Sequence, residues 1–394
     1  MFHTTHRERL YAASNGELIV LTAYDAVQQS GDMAAPFLQE SSFWWLTGIE
    51  EPGWKIILDT ARQKATLVRP ERSAVDVIFN GESSDDTIAT VSGIHDVIAA
   101  KDFESHLRQL QRHHTVVYTL TSKEDHEFVL NPAKANLTKM LQRIFSSVQH
   151  CDAMINTLRA IKQPAEIWRM KAAASLTCRA FSDVRATLDS FKTEAAVEAE
   201  FVYVFHKEGA THAYEPIVAG GVNACTLHYT ANNAPLRSRE LVLIDIGARV
   251  DGYSADVTRT YCRNPTKRQR AVHAAVARAE AAIIDLIAPG LAISDYLAAV
   301  DDIMQRELQG LGLLDDLADD ETYRKYFPHA VSHGLGVDTH DSLGRPRYFE
   351  EGMVLTVEPG IYIAEESIGV RIEDDILVTK TGHENLTAML PVDL

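Results

Sequence analysis

Five side chains in the C-terminal half of this chain have the types and spacing needed to hold cations, and they lie in three short stretches. The first stretch is LVLIDIGARVDGYSADVTRT, residues 241–260. Asp251-Gly252 is the kind of dipeptide that closes a two-residue hairpin turn. If it does so here, Val250 pairs with Tyr253 and, counting outward, Asp245 pairs with Thr258. Asp256 then becomes the diagonal neighbour of Asp245 on the same face, at roughly 7–8 Å. Apolar residues flank both acids, so burying them is costly without a cation or a hydrogen-bond donor. The alternative is a pair of surface acids beside a turn.

The second stretch, FPHAVSHGLGVDTHDSLG, carries His329, His333 and His340. An H-x-x-x-H pair on a helix could grip zinc from one face, but Pro328 before it and Gly334 and Gly336 after it favour a loop or strand. Glycines there allow a substrate backbone to come close. The third stretch holds Glu358 in TVEPG and Glu373 in VRIEDD. Arg371 and Glu373 are two apart and share a face if the segment is a strand, so the guanidinium could orient that carboxylate. Asp374 and Asp375 read as a solvated acidic strand end.

Asp245, Asp256, His333, Glu358 and Glu373 together supply four negative charges and one imidazole, which balances two divalent cations. Oxygen-rich donors with a single nitrogen suit Mn²⁺, Co²⁺ or Fe²⁺, and Zn²⁺ is compatible. Such a pair of ions activates water at neutral pH and stabilises charge developing on an attacked carbonyl.

The elements that must position these residues follow from pattern. The chain has 394 residues, enough for two domains. Residues 1–150 mix short β-type runs (GELIVLTAY, WKIILDT, KATLVRP, TVVYTLTS) with a helical stretch, KANLTKMLQRIFSSV, which reads as a smaller α/β domain. Trp44 and Trp45 in SSFWWLTGIEEPGW are packing residues of a core or interface. Residues 151–163 form a linker ending at Pro164, which opens a helix. Residues 164–394 alternate long amphipathic helices with strand pairs, an α+β layer arrangement.

Composition narrows the function. Hydrophobic residues make up 46% and charged residues 24%, and no apolar run is long enough for a membrane span. The N-terminus lacks the apolar core of a secretion signal, so a cytoplasmic location is expected. The net charge of −17 and the absence of a basic patch disfavour nucleic acid. The four cysteines form no C-x-x-C pair, which points to reduced packing residues. Neither G-x-G-x-x-G nor G-x-x-x-x-G-K is present.

DIGARVDGYSADVTRT, HAVSHGLGVDTHD, TVEPGIY and RIEDDILVT, in this order and spacing, resemble the pita-bread metallopeptidases of the Xaa-Pro aminopeptidase (aminopeptidase P) and prolidase branch. SSFWWLTGIEEP resembles the non-catalytic N-terminal domain of aminopeptidase P. The resemblance implies that Asp245 binds one metal ion, that Asp256 and Glu373 bridge two, and that His333 and Glu358 complete the set. It further implies that Glu358 handles protons, that His329 and His340 contact substrate or its tetrahedral intermediate, and that His228 in ACTLHYTANN lines the substrate pocket. Arg371 would align Glu373. The expected substrates are peptides with proline second, cleaved before the proline by a homo-oligomer, dimer or tetramer.

Two alternatives remain. A dipeptide-restricted prolidase needs a cation for the substrate's C-terminal carboxylate, and Arg345 and Arg347 are the candidates. A metal-free pita-bread binding module would have lost metal ligands, whereas all five are acids or histidine here.

Overall fold

Strands buried on both faces, Leu18–Thr22 and Lys55–Asp59 foremost, build a mixed six-stranded sheet in the N-terminal part. In this computed structural model, which describes residues 2–122 and 129–394, the chain divides into two compact units, Met1–Leu158 and Arg159–Leu394. The strand order in the first unit is Val97–Ala99, Lys64–Arg69, Lys55–Asp59, Leu18–Thr22, Val116–Thr119, Ser147–His150. Leu18, Val20, Ile57, Val68 and Val117 pack against Phe103 and Leu107 of one helix and Leu137, Leu141 and Ile144 of another. The double tryptophan lies on the helix Ser41–Thr47, which the Glu40 side chain caps at its start and Gly48 ends in a left-handed turn. Both indoles are buried. Within the segment expected as a linker, Asp152–Ala160 forms a helix.

Pro164 is the first residue of the 24-residue helix Pro164–Thr187, and the Gln163 N–H donates to the Glu166 carboxylate at 2.8 Å. The second unit then repeats one arrangement: a pair of helices backing a two-stranded ribbon, to which Ile217–Gly220 and Thr211–His212 add edge strands in the first and His383–Asn385 in the second. Phe181 on the first helix and Phe201 and Phe205 on Glu194–Lys207 pack against Ile244, Ala248 and Val257 of the first ribbon. Val276 and Ile283 on Lys267–Ile284, with Val300 and Met304 on Ile293–Gly310, pack against Leu355, Val370 and Ile376 of the second.

Each ribbon is broken at its middle. In the first, Val242–Asp245 pairs with Thr258–Tyr261, and Ala248–Val250 pairs with Tyr253–Ser254 in a different sheet. The register is the one the Asp-Gly turn implies, Asp245 opposite Thr258 and Val250 opposite Tyr253, with Asp251 and Gly252 both at positive φ. In the second, Val354–Val357 pairs with Asp374–Val378, and Gly360–Ile363 pairs with Ile368–Arg371. A bridge between Thr258 and Glu373 joins the ribbons. Among the described residues no helix is long and apolar enough to cross a membrane. All four cysteines are free thiols.

Gly247 permits the first break. A Cβ there would lie 1.7 Å from the Ala255 carbonyl oxygen, a backbone atom that cannot step aside. Gly247→Ala is therefore expected to lower stability by about 2–4 kcal/mol and to separate Asp245 from Asp256. A urea-melt comparison checks the first effect, and cation affinity the second.

Candidate metal centre

All four expected carboxylates sit where the ribbons break. Asp245 ends its strand, Asp256 lies between Ser254 and Thr258, Glu358 between Val357 and Gly360, and Glu373 between Arg371 and Asp374. The two halves of each ribbon keep one register across the break, which puts Asp245 and Asp256 on one face and Glu358 opposite Glu373. Ligand atoms of Asp256, His333 and Glu373 all lie within 4.8 Å of one another. His333 Nε2 is 3.4 Å from Asp256 and 3.5 Å from Glu358. Tyr214 ties Asp245 to Asp256, its hydroxyl lying 2.6 and 2.5 Å from their Oδ1 atoms.

The loop Pro328–Leu343 is irregular, so the helical H-x-x-x-H geometry is absent. His333 is held on its backbone by Thr356, whose N–H donates to the His333 carbonyl at 2.9 Å and whose hydroxyl accepts from the His333 N–H at 3.2 Å. His333 Nδ1 donates to the Gly334 carbonyl at 3.0 Å, which aims Nε2 at the carboxylates. His329 Nδ1 donates to the Ala330 carbonyl and its Nε2 meets the Tyr362 hydroxyl at 2.9 Å. The His340 ring is 4.3 Å from that of His333. His228 is exposed, yet close enough to His329 and His340 to disfavour charge on both.

Two expectations need correction. Arg371 does not bond Glu373 directly, because the strand stops at Arg371; its Nη2 donates to Asp245 at 2.5 Å and its Nη1 to the Tyr362 hydroxyl at 2.9 Å. Thr258 links the two, bonding Arg371 Nε at 3.3 Å and donating to Glu373 at 2.6 Å. Asp374 and Asp375 are buried rather than solvated. Asp374 pairs with the buried Arg259 at 2.6 Å, and Asp375 accepts the Asp256 N–H at 3.3 Å. Tyr214, Thr258, Tyr362 and these two roles went unforeseen; Tyr214 lies 31 residues before Asp245, at no diagnostic spacing.

The electrostatics fit a cation. Burial, and after it the repulsion of Asp256, Glu358 and Asp245, pushes the Glu373 carboxyl well above the ordinary range. Burial raises Glu358 to about 7, although His333 and Arg371 oppose the shift. Burial also raises Asp245 against the pull of Arg371. Burial disfavours charge on His333, but Asp256 and Glu358 outweigh it and lift the imidazole to about 9. An oxygen-rich set with one imidazole nitrogen, crowded with like charge, is a donor set for hard or borderline divalent ions.

The model of metallopeptidase family M24 matches residues 169–380, and that of the aminopeptidase P N-terminal domain matches residues 3–118. The chain belongs to metallopeptidase family M24. The M24 match takes in all five side chains of the centre. This M24 chain is 33% identical over 400 residues to the Xaa-Pro aminopeptidase of Escherichia coli strain K12, covering 95% of this chain and 91% of that protein. It is 31% identical over 412 residues to Xaa-Pro aminopeptidase 3 of Rattus norvegicus, covering 99% and 81% respectively. Among solved structures, E. coli aminopeptidase P in a low-pH form aligns with a TM-score of 0.88 at 30% identity, covering 100% of this chain and 96% of that one. Proline aminopeptidase P II from Yersinia pestis aligns at 0.86 and 31%, covering 100% and 97%. The fold is therefore that of aminopeptidase P, an N-terminal domain followed by an M24 domain.

A carboxyl whose pKa is raised by folding contributes stability below its unfolded value and loses that contribution as pH rises through the folded value. Glu358, Glu373 and Asp245 all have this sign. Metal-stripped protein should therefore melt at lower temperature as pH rises through about 7, while Mn²⁺, which binds the deprotonated folded form, should reverse the slope. Thermal melts with and without Mn²⁺ check both signs. Arg371→Met leaves Asp245 without its cation and should destabilise the stripped protein by about 3–5 kcal/mol, with a smaller loss when Mn²⁺ is present.

Proposed function

We infer that this chain is an Xaa-Pro aminopeptidase, a metal-dependent hydrolase that releases the N-terminal residue from peptides with proline second. The convergence of four carboxylates, three of them buried, and one imidazole at the ribbon breaks carries the reading, within an M24 chain whose relatives over nearly its full length bear that name. Asp245, Asp256, His333, Glu358 and Glu373 would hold two divalent ions, and Asp256, His333 and Glu373 already bring ligand atoms within 4.8 Å of one another. Four negative charges and one neutral ligand suit Mn²⁺, with Co²⁺, Fe²⁺ or Zn²⁺ as substitutes; a zinc-substituted E. coli aminopeptidase P is a structural relative. When bound, such ions lower the pKa of water and polarise a carbonyl oxygen.

The chain's own groups do the rest. Glu358, 3.5 Å from His333 Nε2, would be the carboxylate that takes a proton from the attacking water and returns it to the departing prolyl nitrogen. Proline contributes no amide N–H, so the scissile bond needs no acceptor from the site at that atom. Burial holds His329 at about 4, a neutral ring kept in one tautomer by the Ala330 carbonyl. With His340 and His228 it forms a polar face suited to a substrate carbonyl and its tetrahedral successor. Arg371 orients Asp245 and opposes the effect of burial on it.

The aminopeptidase reading is favoured over a dipeptide-restricted one. Arg345 and Arg347 are both exposed, and Arg347 lies over the Tyr348 ring at 5.3 Å. A metal-free binding module would gain nothing from crowding four acids in a buried site. A cytoplasmic location is consistent with the free cysteines. A homo-oligomer is supported by the helix Ala74–Asn80, where Ile78 and Phe79 are each 80% exposed. The pita-bread arrangement fits the two helix-backed ribbons.

The test is a peptide panel with stripped protein to which Mn²⁺, Co²⁺ or Zn²⁺ is restored. Xaa-Pro-Xaa should turn over faster than Xaa-Pro, and Asp256→Asn should lower kcat by at least about 10³-fold with the fold retained. Full turnover by that variant, or cleavage of dipeptides alone, would refute the reading.

A further inference from the structure

The loop between the Ile217–Gly220 and Val242–Asp245 strands carries His228, yet from Thr226 to Glu240 it has no helix or strand of its own. Such a segment must find partners for its backbone and polar side chains elsewhere. Much of that need is met by one fully buried carboxylate, Glu194, the first residue of the helix Glu194–Lys207. Glu194 Oε1 accepts from the Gly220 N–H at 2.8 Å and from the Asn223 amide at 3.0 Å. Oε2 accepts from the Tyr229 hydroxyl at 2.9 Å and from the Ala234 N–H at 2.8 Å. The Glu194 N–H in turn donates to the Ala234 carbonyl at 3.0 Å. One side chain thus gathers four donors spread over 15 positions, from 220 to 234, including the residue next to His228.

We propose that Glu194 is a positioning residue that straps this loop in place so that His228 faces the substrate. The proposal rests on the Xaa-Pro aminopeptidase reading for its substrate. Glu194 belongs to no part of the metal centre, and its partners run from the end of the strand, Gly220, through the short helical turn holding Asn223 to Tyr229 and Ala234 of the irregular stretch. A carboxylate is the one side chain that offers acceptors alone on both branches; glutamine would turn an N–H₂ toward one of the two donor pairs. Because charge-assisted bonds of this kind are individually strong, the strap sets loop geometry rather than merely adding stability.

The experiment uses the Mn²⁺-loaded full chain. Glu194→Gln should raise KM for an Xaa-Pro-Xaa peptide about 10-fold while kcat stays within about 3-fold, the signature of lost binding rather than lost chemistry. Tyr229→Phe, which removes one donor and spares the core, should raise KM about 3-fold. In a His228→Ala background both effects on kcat/KM should vanish, because the strap acts through His228. Hydrogen exchange across 220–234 should quicken in Glu194→Gln while 242–261 stays protected.

Equal fold-losses with and without His228 would overturn the proposal, as would unchanged exchange across 220–234. A fall in kcat or Mn²⁺ affinity parallel to the rise in KM would assign Glu194 to general stability and overturn it too. If wild-type protein leaves Xaa-Pro peptides intact, the activity reading fails by itself, and the exchange comparison still decides whether Glu194 holds the loop.

Discussion

Like charges in a buried place are the constraint on which this structure turns. Asp245, Asp256, Glu358 and Glu373 are brought together where burial penalises the ionised forms of Asp245, Glu358 and Glu373 and where the negative neighbours, Asp256 among them, add to that cost. The protein offsets part of that with Arg371, with the shared Tyr214 hydroxyl, with Thr258 and with His333. The remainder is negative charge, and divalent cations are the natural counterpart. A centre of this kind is unfavourable to the isolated fold and useful only when something binds there.

Such a centre needs rigid support, and the second unit supplies it twice over. Each ribbon is backed by a helix pair with a dry core, Phe181 and Phe201 behind one, Met304 and Ile283 behind the other. The ribbon breaks are therefore held by packing on the helix side and by the Thr258–Glu373 bridge between ribbons. Tightly packed surroundings let acids be aimed at one point without relaxing apart. The substrate side is looser: His228 lies on an irregular loop, and a carboxylate rooted in a helix holds it.

Much of this was legible in the sequence. Asp251-Gly252 set the turn, the turn set the register, and the register brought Asp245 and Asp256 to one face, as the structure has it. The glycines around His333 argued against a helix, and that loop is irregular. What stayed hidden depended on contacts between distant segments. Nothing in VRIEDD reveals that the strand stops at Arg371, so the arginine's partner could not be read from a spacing of two. Asp374 and Asp375 look like a solvated acidic run because their buried partners, Arg259 and the Asp256 backbone, come from another ribbon. Tyr214 carries no periodic signal because it works as a single hydroxyl.

The central claim is that these five side chains hold a pair of divalent ions. Anomalous diffraction from crystals grown with Mn²⁺, at a wavelength where manganese scatters strongly, tests it directly. The account predicts two anomalous peaks ringed by Asp245, Asp256, His333, Glu358 and Glu373, with Arg371 still on Asp245. A well-ordered centre with those side chains placed as described and no peak among them would contradict it.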